Sequence, residues 1–196
     1  MKTDDKYWSE LYKENRTRWD IGYPAPPLKD YFDQISDKNI KILIPGAGNA
    51  YEAEYLFKNG FKNVFVLDWA MEPLNNLKCR FNDFPAENLL CGDFFLHKGE
   101  YDIIIEYVFF CAIDPSLRQN YAIKANELLN SGGKLAGILF NDPLLNEDGP
   151  PFGGSKEEYI KYFTPYFNIR VYETAYNSIK PRAGRELFCI FEKKEN

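Results

Sequence analysis

The chain has 196 residues and a formal net charge of −5, and 45% of its residues are hydrophobic and 17% aromatic. This supply of apolar side chains suits one packed domain over residues 1–196 and argues against disorder. The acidic balance, without a lysine- or arginine-rich stripe, disfavours binding to nucleic acid or to a membrane surface. No apolar run approaches the ~20 residues of a membrane span. The first residues also lack the apolar stretch of a signal peptide.

Few residues in the chain could support metal or redox chemistry. Cys79, Cys91, Cys111 and Cys189 form no C-x-x-C pair, and His97 is the only histidine. This composition predicts no metal site and favours reduced thiols in a cytoplasmic protein. The chain has no long apolar helix seam, so we expect a monomer.

The first 36 residues differ in character from the rest. Residues 7–19 are aromatic and charged and predict a short helix. Residues 22–27 contain three prolines, which exclude a continuing helix, and residues 28–35 predict a second helix. The N-terminal segment, residues 1–36, is therefore expected to form a lid or strap on a core of residues 37–196.

Strands alternate with helices through this core. Short apolar runs predict strands at 41–45, 64–67, 88–91, 102–105, 134–140, 167–174 and 185–193, with helices at 51–59, 72–81, 116–129 and 155–163. Gly132 and Gly133 are predicted to end the third of these helices. The alternation predicts an α/β fold in three layers, with a doubly wound, mostly parallel, seven-stranded sheet. Only a loop separates the last two strands, which are expected to form an antiparallel C-terminal hairpin.

Glycines and a carboxylate follow the first two strands, at the sheet edge where doubly wound folds bind ligands. Gly46 and Gly48 would let the backbone turn tightly and approach a ligand. Tyr51 stands where a dinucleotide fingerprint has its third glycine, so a nucleoside without a pyrophosphate fits better. Asp68 can accept hydrogen bonds from both ribose hydroxyls. An ordinary turn and a helix cap are the alternative interpretations.

The third and fourth strands end in residues suited to an adenine and to a cation. Asp93 can accept from an exocyclic amine, and Phe94 can stack on a purine. Tyr107 can line a sulfonium, because aromatic faces attract cations. Cys111 has no histidine nearby in sequence and is expected to be a small buried residue rather than a nucleophile. The candidates for attracting an anionic substrate are Arg118 and Arg182 or Arg185, with surface ion pairs as the alternative.

Five stretches along the chain resemble the thiopurine methyltransferase-like superfamily, and within it the halide/thiol methyltransferases. They are TRWDIG at 17–22, IPGAG at 44–48, YVFFCAIDP at 107–115, GPPF at 149–152 and SIKPRAGRE at 178–186. The third is the most specific and is close to a signature of the halide/thiol branch. The resemblance implies a Rossmann-like class I methyltransferase that uses S-adenosyl-L-methionine, leaving S-adenosyl-L-homocysteine, to methylate a small soft nucleophile (a halide, bisulfide or thiol).

The resemblance also implies roles for individual residues in binding the cofactor. The implied set is Trp8, Tyr12 and Trp19 as a cover, Gly46 at the methionine part with Gly48 beside it, Asp68 at the ribose, Asp93 and Phe94 at the adenine, and Tyr107 near the sulfonium. Two positions depart from the family pattern. Tyr12 stands where the family usually has tryptophan, and Arg18 stands where the pattern has proline.

A soft anion arrives already deprotonated, so its methylation needs no general base. Catalysis would then rest on alignment and on a lid that excludes water, with Tyr107 as the positioning residue. Three alternatives remain open. A larger acceptor pocket would favour methylation of thiopurines and other aromatic thiols, nicotinamide binding would favour an NAD(P)-dependent oxidoreductase, and binding without turnover would favour a non-catalytic module.

Overall fold

The computed structural model describes residues 4–142 and 149–195. Its strands are β1 Ile42–Pro45, β2 Val64–Asp68, β3 Leu89–Cys91, β4 Tyr101–Tyr107, β5 Leu129–Phe140, β6 Phe167–Thr174 and β7 Glu186–Lys193. They form one sheet in the order β3-β2-β1-β4-β5-β7-β6. Strands β1 to β5 pair in parallel, and β7 lies antiparallel to both β5 and β6. The mostly parallel, seven-stranded sheet with its C-terminal hairpin is confirmed.

Helices cover both faces of the sheet. They are α1 Asp5–Lys13, α2 Pro26–Asp33, α3 Tyr51–Lys58, α4 Met71–Arg80, α5 Arg118–Leu128 and α6 Lys156–Phe163. Ile42 and Ile44 of β1 pack with α2, α3 and α4, whereas Leu43 packs with α5 and α6. Successive strand residues therefore pack into two separate apolar clusters, one on each face of the sheet. This gives the expected three layers of helices, sheet and helices. Within the described residues, no helix is long and apolar enough to cross a membrane.

The N-terminal helices begin and end at other residues than the sequence predicts. Helix α1 ends at Lys13 rather than near Trp19, because Asn15 adopts a left-handed conformation with φ of 54°. Its first turn is capped by Asp4, whose carboxylate accepts from the amide of Tyr7 at 3.1 Å. Helix α2 begins at Pro26 instead of residue 28, since a proline is compatible with the first turn, where no amide donor is required.

The prediction that Gly132 and Gly133 end a helix is wrong. Helix α5 ends at Leu128, and Leu129 is already extended and pairs with Tyr101 of β4. Both glycines lie inside β5. An ideal Cβ at Gly133 would lie 3.2 Å from the carbonyl oxygen of Asp102, so the glycine permits close approach of the two strands.

Candidate active site

A cavity of about 620 Å³ opens at the carboxyl ends of the parallel strands, beneath α1. This is within the range of roughly 300–1,000 Å³ typical of ligand pockets. Its walls bring together eight of the residues that the sequence singled out, namely Trp8, Tyr12, Trp19, Gly46, Asp68, Asp93, Phe94 and Arg182. Arg185 lines it as well. Gly48, Tyr107 and Arg118 are not among the lining residues.

The turn after β1 is held close to the rest of the site. Gly46 has a φ of +55°, and a Cβ placed there would lie 2.3 Å from the ring of Phe109. Gly48 has the same φ, and a Cβ there would lie 3.2 Å from the hydroxyl of Tyr12. Gly46 therefore requires glycine for conformation and for space, whereas Gly48 requires it for conformation and would need only a small shift of the Tyr12 hydroxyl.

Asp68 lies at the end of β2 with its carboxylate facing the cavity. Its Oδ2 accepts from the amide of Gly48 at 3.0 Å, and its Oδ1 accepts from the amide of Ala70 at 3.0 Å. Each oxygen keeps a further lone pair. Burial raises the pKa of Asp68 to about 6. The group is therefore ionised at neutral pH and can accept further hydrogen bonds.

Asp93 and Phe94 lie on the opposite wall, after β3. The Oδ1 of Asp93 accepts from the amide of Phe95 at 2.8 Å, which shapes a tight turn. Phe94 is buried and stacks on Tyr121 with ring centroids 5.2 Å apart. Its edge-to-face contact with Phe109 has a centroid distance of 5.4 Å. Phe94 thus belongs to the core and also presents part of its ring to the cavity.

The loop after β4 depends on Glu106, which the sequence analysis missed. This fully buried carboxylate accepts from the amides of Phe109 at 2.9 Å and Phe110 at 2.8 Å, and from the hydroxyl of Tyr121 at 2.5 Å. Burial raises the pKa of Glu106 to about 7. Between these partners, Val108 has a φ of +55°, which is strained for a β-branched residue. The signal in the sequence was a carboxylate directly after three consecutive isoleucines.

Tyr107 points away from the cavity, which corrects the expected contact with a sulfonium. It packs with Ile105 on the face covered by α2, α3 and α4, because side chains alternate along β4. Its hydroxyl accepts from Nη1 of Arg182 at 2.6 Å. Burial raises the pKa of Tyr107 above its usual value. Its contact with the site therefore runs through Arg182.

Arg182 joins the N-terminal segment to the sheet. Its Nη2 donates to the carbonyl oxygen of Trp19 at 2.7 Å, and its Nη1 lies 3.5 Å from Oε1 of Glu186. Glu186 is buried, which raises its pKa, while the guanidinium opposes the rise. Only 11% of the Arg182 side chain is exposed, yet it lines the cavity.

Trp8, Tyr12 and Trp19, which we call the aromatic cover, contact one another in the cavity wall. The ring of Trp19 makes edge-to-face contacts with Trp8 and Tyr12, at centroid distances of 5.5 Å and 5.7 Å. Burial, and next the nearby charge of Asp68, raise the pKa of Tyr12 above its usual value.

Polar contacts fasten this cover at both ends. Glu72 of α4 accepts from the hydroxyl of Ser9 at 2.8 Å and pairs with Lys13 at 3.2 Å. At the other end, Asp20 accepts from the side-chain amide of Asn49, which follows the glycine turn. The cover is therefore tied to α4 and to the loop after β1.

Arg118 is a structural residue, which corrects its expected role as a substrate contact. The residue is 1% exposed, and its Nη1 pairs with Glu158 of α6 at 2.7 Å. Its Nη2 donates to the carbonyl oxygens of Phe152 at 3.2 Å and Gly153 at 2.8 Å. With its donors turned into the protein, Arg118 connects α5, α6 and the chain before α6.

Other arginines line the cavity instead. Arg16 pairs with Glu14 at 2.9 Å, and Arg185 pairs with Asp142. Arg18 also lines the cavity and is exposed.

Comparisons with known proteins agree with this site. The chain is 28% identical over 194 residues to a probable thiol methyltransferase 2 of Arabidopsis thaliana, covering 95% of this chain and 84% of that protein. It is 30% identical over 180 residues to a thiopurine S-methyltransferase of Vibrio campbellii, covering 83% of each. Among solved structures, a Burkholderia thailandensis 1,6-didemethyltoxoflavin-N1-methyltransferase with bound S-adenosylhomocysteine shares the fold. Its TM-score is 0.74 at 17% identity, and the alignment covers 97% of this chain and 87% of that one.

The family model of thiopurine S-methyltransferase matches residues 3–196. This match over nearly the whole chain decides against the dinucleotide-dependent oxidoreductase that the glycine turn had left open. The chain belongs to the thiopurine S-methyltransferase family, and the relatives reported above are a probable thiol methyltransferase and a thiopurine S-methyltransferase.

Proposed function

We propose that the chain transfers a methyl group from S-adenosylmethionine to a small thiolate. The observation that carries this proposal is the cavity wall, which presents arginines but, among the described residues, no histidine or lysine. Asp68, Asp93 and Asp114 are its carboxylates, and each accepts hydrogen bonds from the backbone of its own loop. A wall that attracts anions and lacks an uncommitted base suits an acceptor that arrives ionised.

Apart from Tyr107, the residues that the resemblance implies suit the cofactor. We assign Asp68 to the ribose hydroxyls, since its free lone pairs face the cavity. Asp93 and Phe94 would hold the adenine, and Gly46, with Gly48 behind it, would let the backbone approach the methionine part. The cover of Trp8, Tyr12 and Trp19, within residues 1–36, would exclude water. When bound, the cofactor supplies a methyl group on a sulfonium.

The reaction needs alignment more than proton transfer. The bound cofactor would supply the methyl group to the acceptor sulfur, and its own sulfur would keep the electron pair of the bond that breaks. Arg182 would attract and orient the thiolate. Tyr107 would act as a positioning residue, because its hydroxyl fixes the Arg182 guanidinium at 2.6 Å. Alignment of this kind can lower a barrier by several kcal/mol.

The experiment starts with calorimetric titration of S-adenosylhomocysteine into the full chain. The same protein is then given S-adenosylmethionine with a panel of thiols, bisulfide and iodide, and methylated products are measured. Formation of thioethers supports the proposal. Methylation of iodide alone would mean that the acceptor is a halide. Binding of S-adenosylhomocysteine without any methylated product would indicate a non-catalytic module.

We further propose that the protein acts as a cytoplasmic monomer on a small anionic molecule. The large apolar side chains exposed among the described residues are scattered, at Tyr23, Met71, Leu96 and Tyr176. All four cysteines are free thiols. Light scattering at several protein concentrations tests the monomer, and a mass that rises to twice that of one chain would contradict it.

A further inference from the structure

Resting on the proposed thiolate acceptor, we propose that Arg18 selects acceptors that carry a carboxylate at the far end of an apolar body. Such an acceptor presents its sulfur to the cofactor and its second anionic group to the cavity mouth. The claim concerns the class of thiol, and thus goes beyond transfer to a thiolate in general.

The first observation is that the arginines lie on adjoining walls. Arg182 donates to the carbonyl of Trp19, the residue that follows Arg18. The amide of Arg185 donates to the carbonyl of Arg182 at 3.0 Å. The N-terminal cover and the loop before β7 therefore bring Arg18, Arg182 and Arg185 to one cavity. This concentration of positive charge stands out in a chain whose net charge is −5.

The second observation is that only Arg18 among these residues is uncompensated. Arg16 pairs with Glu14, Arg182 with Glu186, and Arg185 with Asp142. Within residues 4–142 and 149–195, the guanidinium of Arg18 makes no hydrogen bond, ion pair or ring contact. Its donors remain available for a carboxylate, for which the planar guanidinium has a matching bidentate geometry.

The third observation is the apolar wall beside these charges. Ile113, Leu117, Phe140 and Pro181 line the cavity, and the guanidinium of Arg185 lies 5.5 Å from the centroid of the Phe140 ring. A bare halide or bisulfide has no apolar surface to bury against such a wall. An aromatic or aliphatic body that carries a carboxylate matches both the wall and the uncompensated charge.

The test compares 4-mercaptobenzoate with 4-mercaptobenzamide, which have the same shape and differ in charge. At pH 8, where both thiols are ionised, kcat/KM is measured for the full chain, for Arg18→Gln and for Lys6→Gln. Lys6 is an exposed lysine of α1 outside the cavity walls, so its variant removes an equal charge from the same segment. Calorimetry with S-adenosylhomocysteine checks that each variant still binds cofactor.

We expect the unmodified chain and Lys6→Gln to prefer the carboxylate by about tenfold, the effect of one charge-assisted hydrogen bond. Arg18→Gln should reduce the preference to less than about threefold, and added salt should weaken it in the unmodified chain. Equal rates for both thiols would overturn this inference and leave the proposed function standing. A preference that survives in Arg18→Gln would also overturn it. Failure to methylate either thiol, in a chain that binds cofactor and methylates a smaller thiol of the panel, would overturn this inference alone. Failure with every thiol of the panel would overturn the proposed function and this inference with it.

Discussion

Gly46 combines a left-handed backbone with a neighbour that leaves no room for a side chain. We expect Gly46→Ala to weaken S-adenosylhomocysteine binding at least tenfold, because a Cβ 2.3 Å from the Phe109 ring must displace the loop after β4. Calorimetry provides the measurement. Gly132→Ala is the control, since Gly132 shares the left-handed backbone with a φ of +68°, lies outside the cavity walls, and its added methyl meets nothing within 4 Å. An unchanged affinity in Gly46→Ala would show that the turn is not a cofactor contact.

Tyr107 reaches the site through one hydrogen bond. Tyr107→Phe removes the acceptor of Arg182 Nη1, so kcat/KM for the thiol should fall about ten- to a hundredfold, the usual effect of one hydrogen bond to a charged group. The affinity for S-adenosylhomocysteine should change less than the turnover. Tyr159→Phe is the matched control, because the buried Tyr159 hydroxyl has no hydrogen-bond partner among the described residues. A loss confined to cofactor affinity would refute the positioning role.

The direction of individual side chains separates what the sequence predicts from what it does not. Asp68 and Gly46 could be located because strand ends and glycine turns constrain the backbone. The direction of the Arg118 side chain could not be predicted, since the sequence around an arginine near a loop is the same whether its guanidinium faces solvent, ligand or core. The side-chain direction of Tyr107 was predictable in principle, because the two-residue period of a strand puts Tyr107 on the same face as Ile105.

At the scale of elements, the loop after β4 is held by one buried carboxylate. Glu106→Ala leaves the amides of Phe109 and Phe110 and the hydroxyl of Tyr121 without their acceptor, and should destabilise the protein by about 3 kcal/mol. The melting temperature should fall by roughly 6–12 °C in a chain of this size. Glu106→Gln keeps an acceptor for both amides and should lose less than half as much. Equal losses would mean that the charge, not the hydrogen bonding, holds the loop.

The strand positions follow closely from the sequence because buried parallel strands are continuous apolar runs. The sequence predicts β2 at 64–67, one residue short of the observed Val64–Asp68. The ends of helices are harder to predict from the sequence. The end of α1 depends on a left-handed Asn15, and the end of α5 depends on pairing of Leu129 with Tyr101, which is distant in sequence. Tertiary contacts rather than local propensity set those boundaries.

At the scale of the whole molecule, buried acids make stability depend on pH. Burial raises the pKa of Glu52 and of Glu106 from the ordinary 4.5 to about 7. Between about pH 4.5 and pH 7, these two carboxyl groups keep protons in the folded state that they have released in the unfolded chain. Their contribution to stability is therefore complete below about pH 4.5 and is lost as the pH rises through about 7.

We therefore expect the urea midpoint of the unmodified chain to fall between pH 6 and pH 8. The double variant of Glu52→Gln and Glu106→Gln should show a flatter profile, because neither amide titrates. The ion pair with Arg170 lowers the pKa of the exposed Glu192. Exposed acids of this kind titrate at lower pH and contribute little to the change in stability between pH 6 and pH 8. A midpoint that rises between pH 6 and pH 8 would contradict the prediction.

Arg118 has a consequence for which residues around the cavity tolerate substitution. Its guanidinium secures the backbone of Phe152 and Gly153, directly after the cavity-lining Pro150 and Pro151. A mutational scan for stability should therefore report position 118 as intolerant to substitution. Since Arg118 fixes one boundary of the cavity wall to the core, we expect exchanges at neighbouring wall residues to alter acceptor preference at a smaller cost in stability.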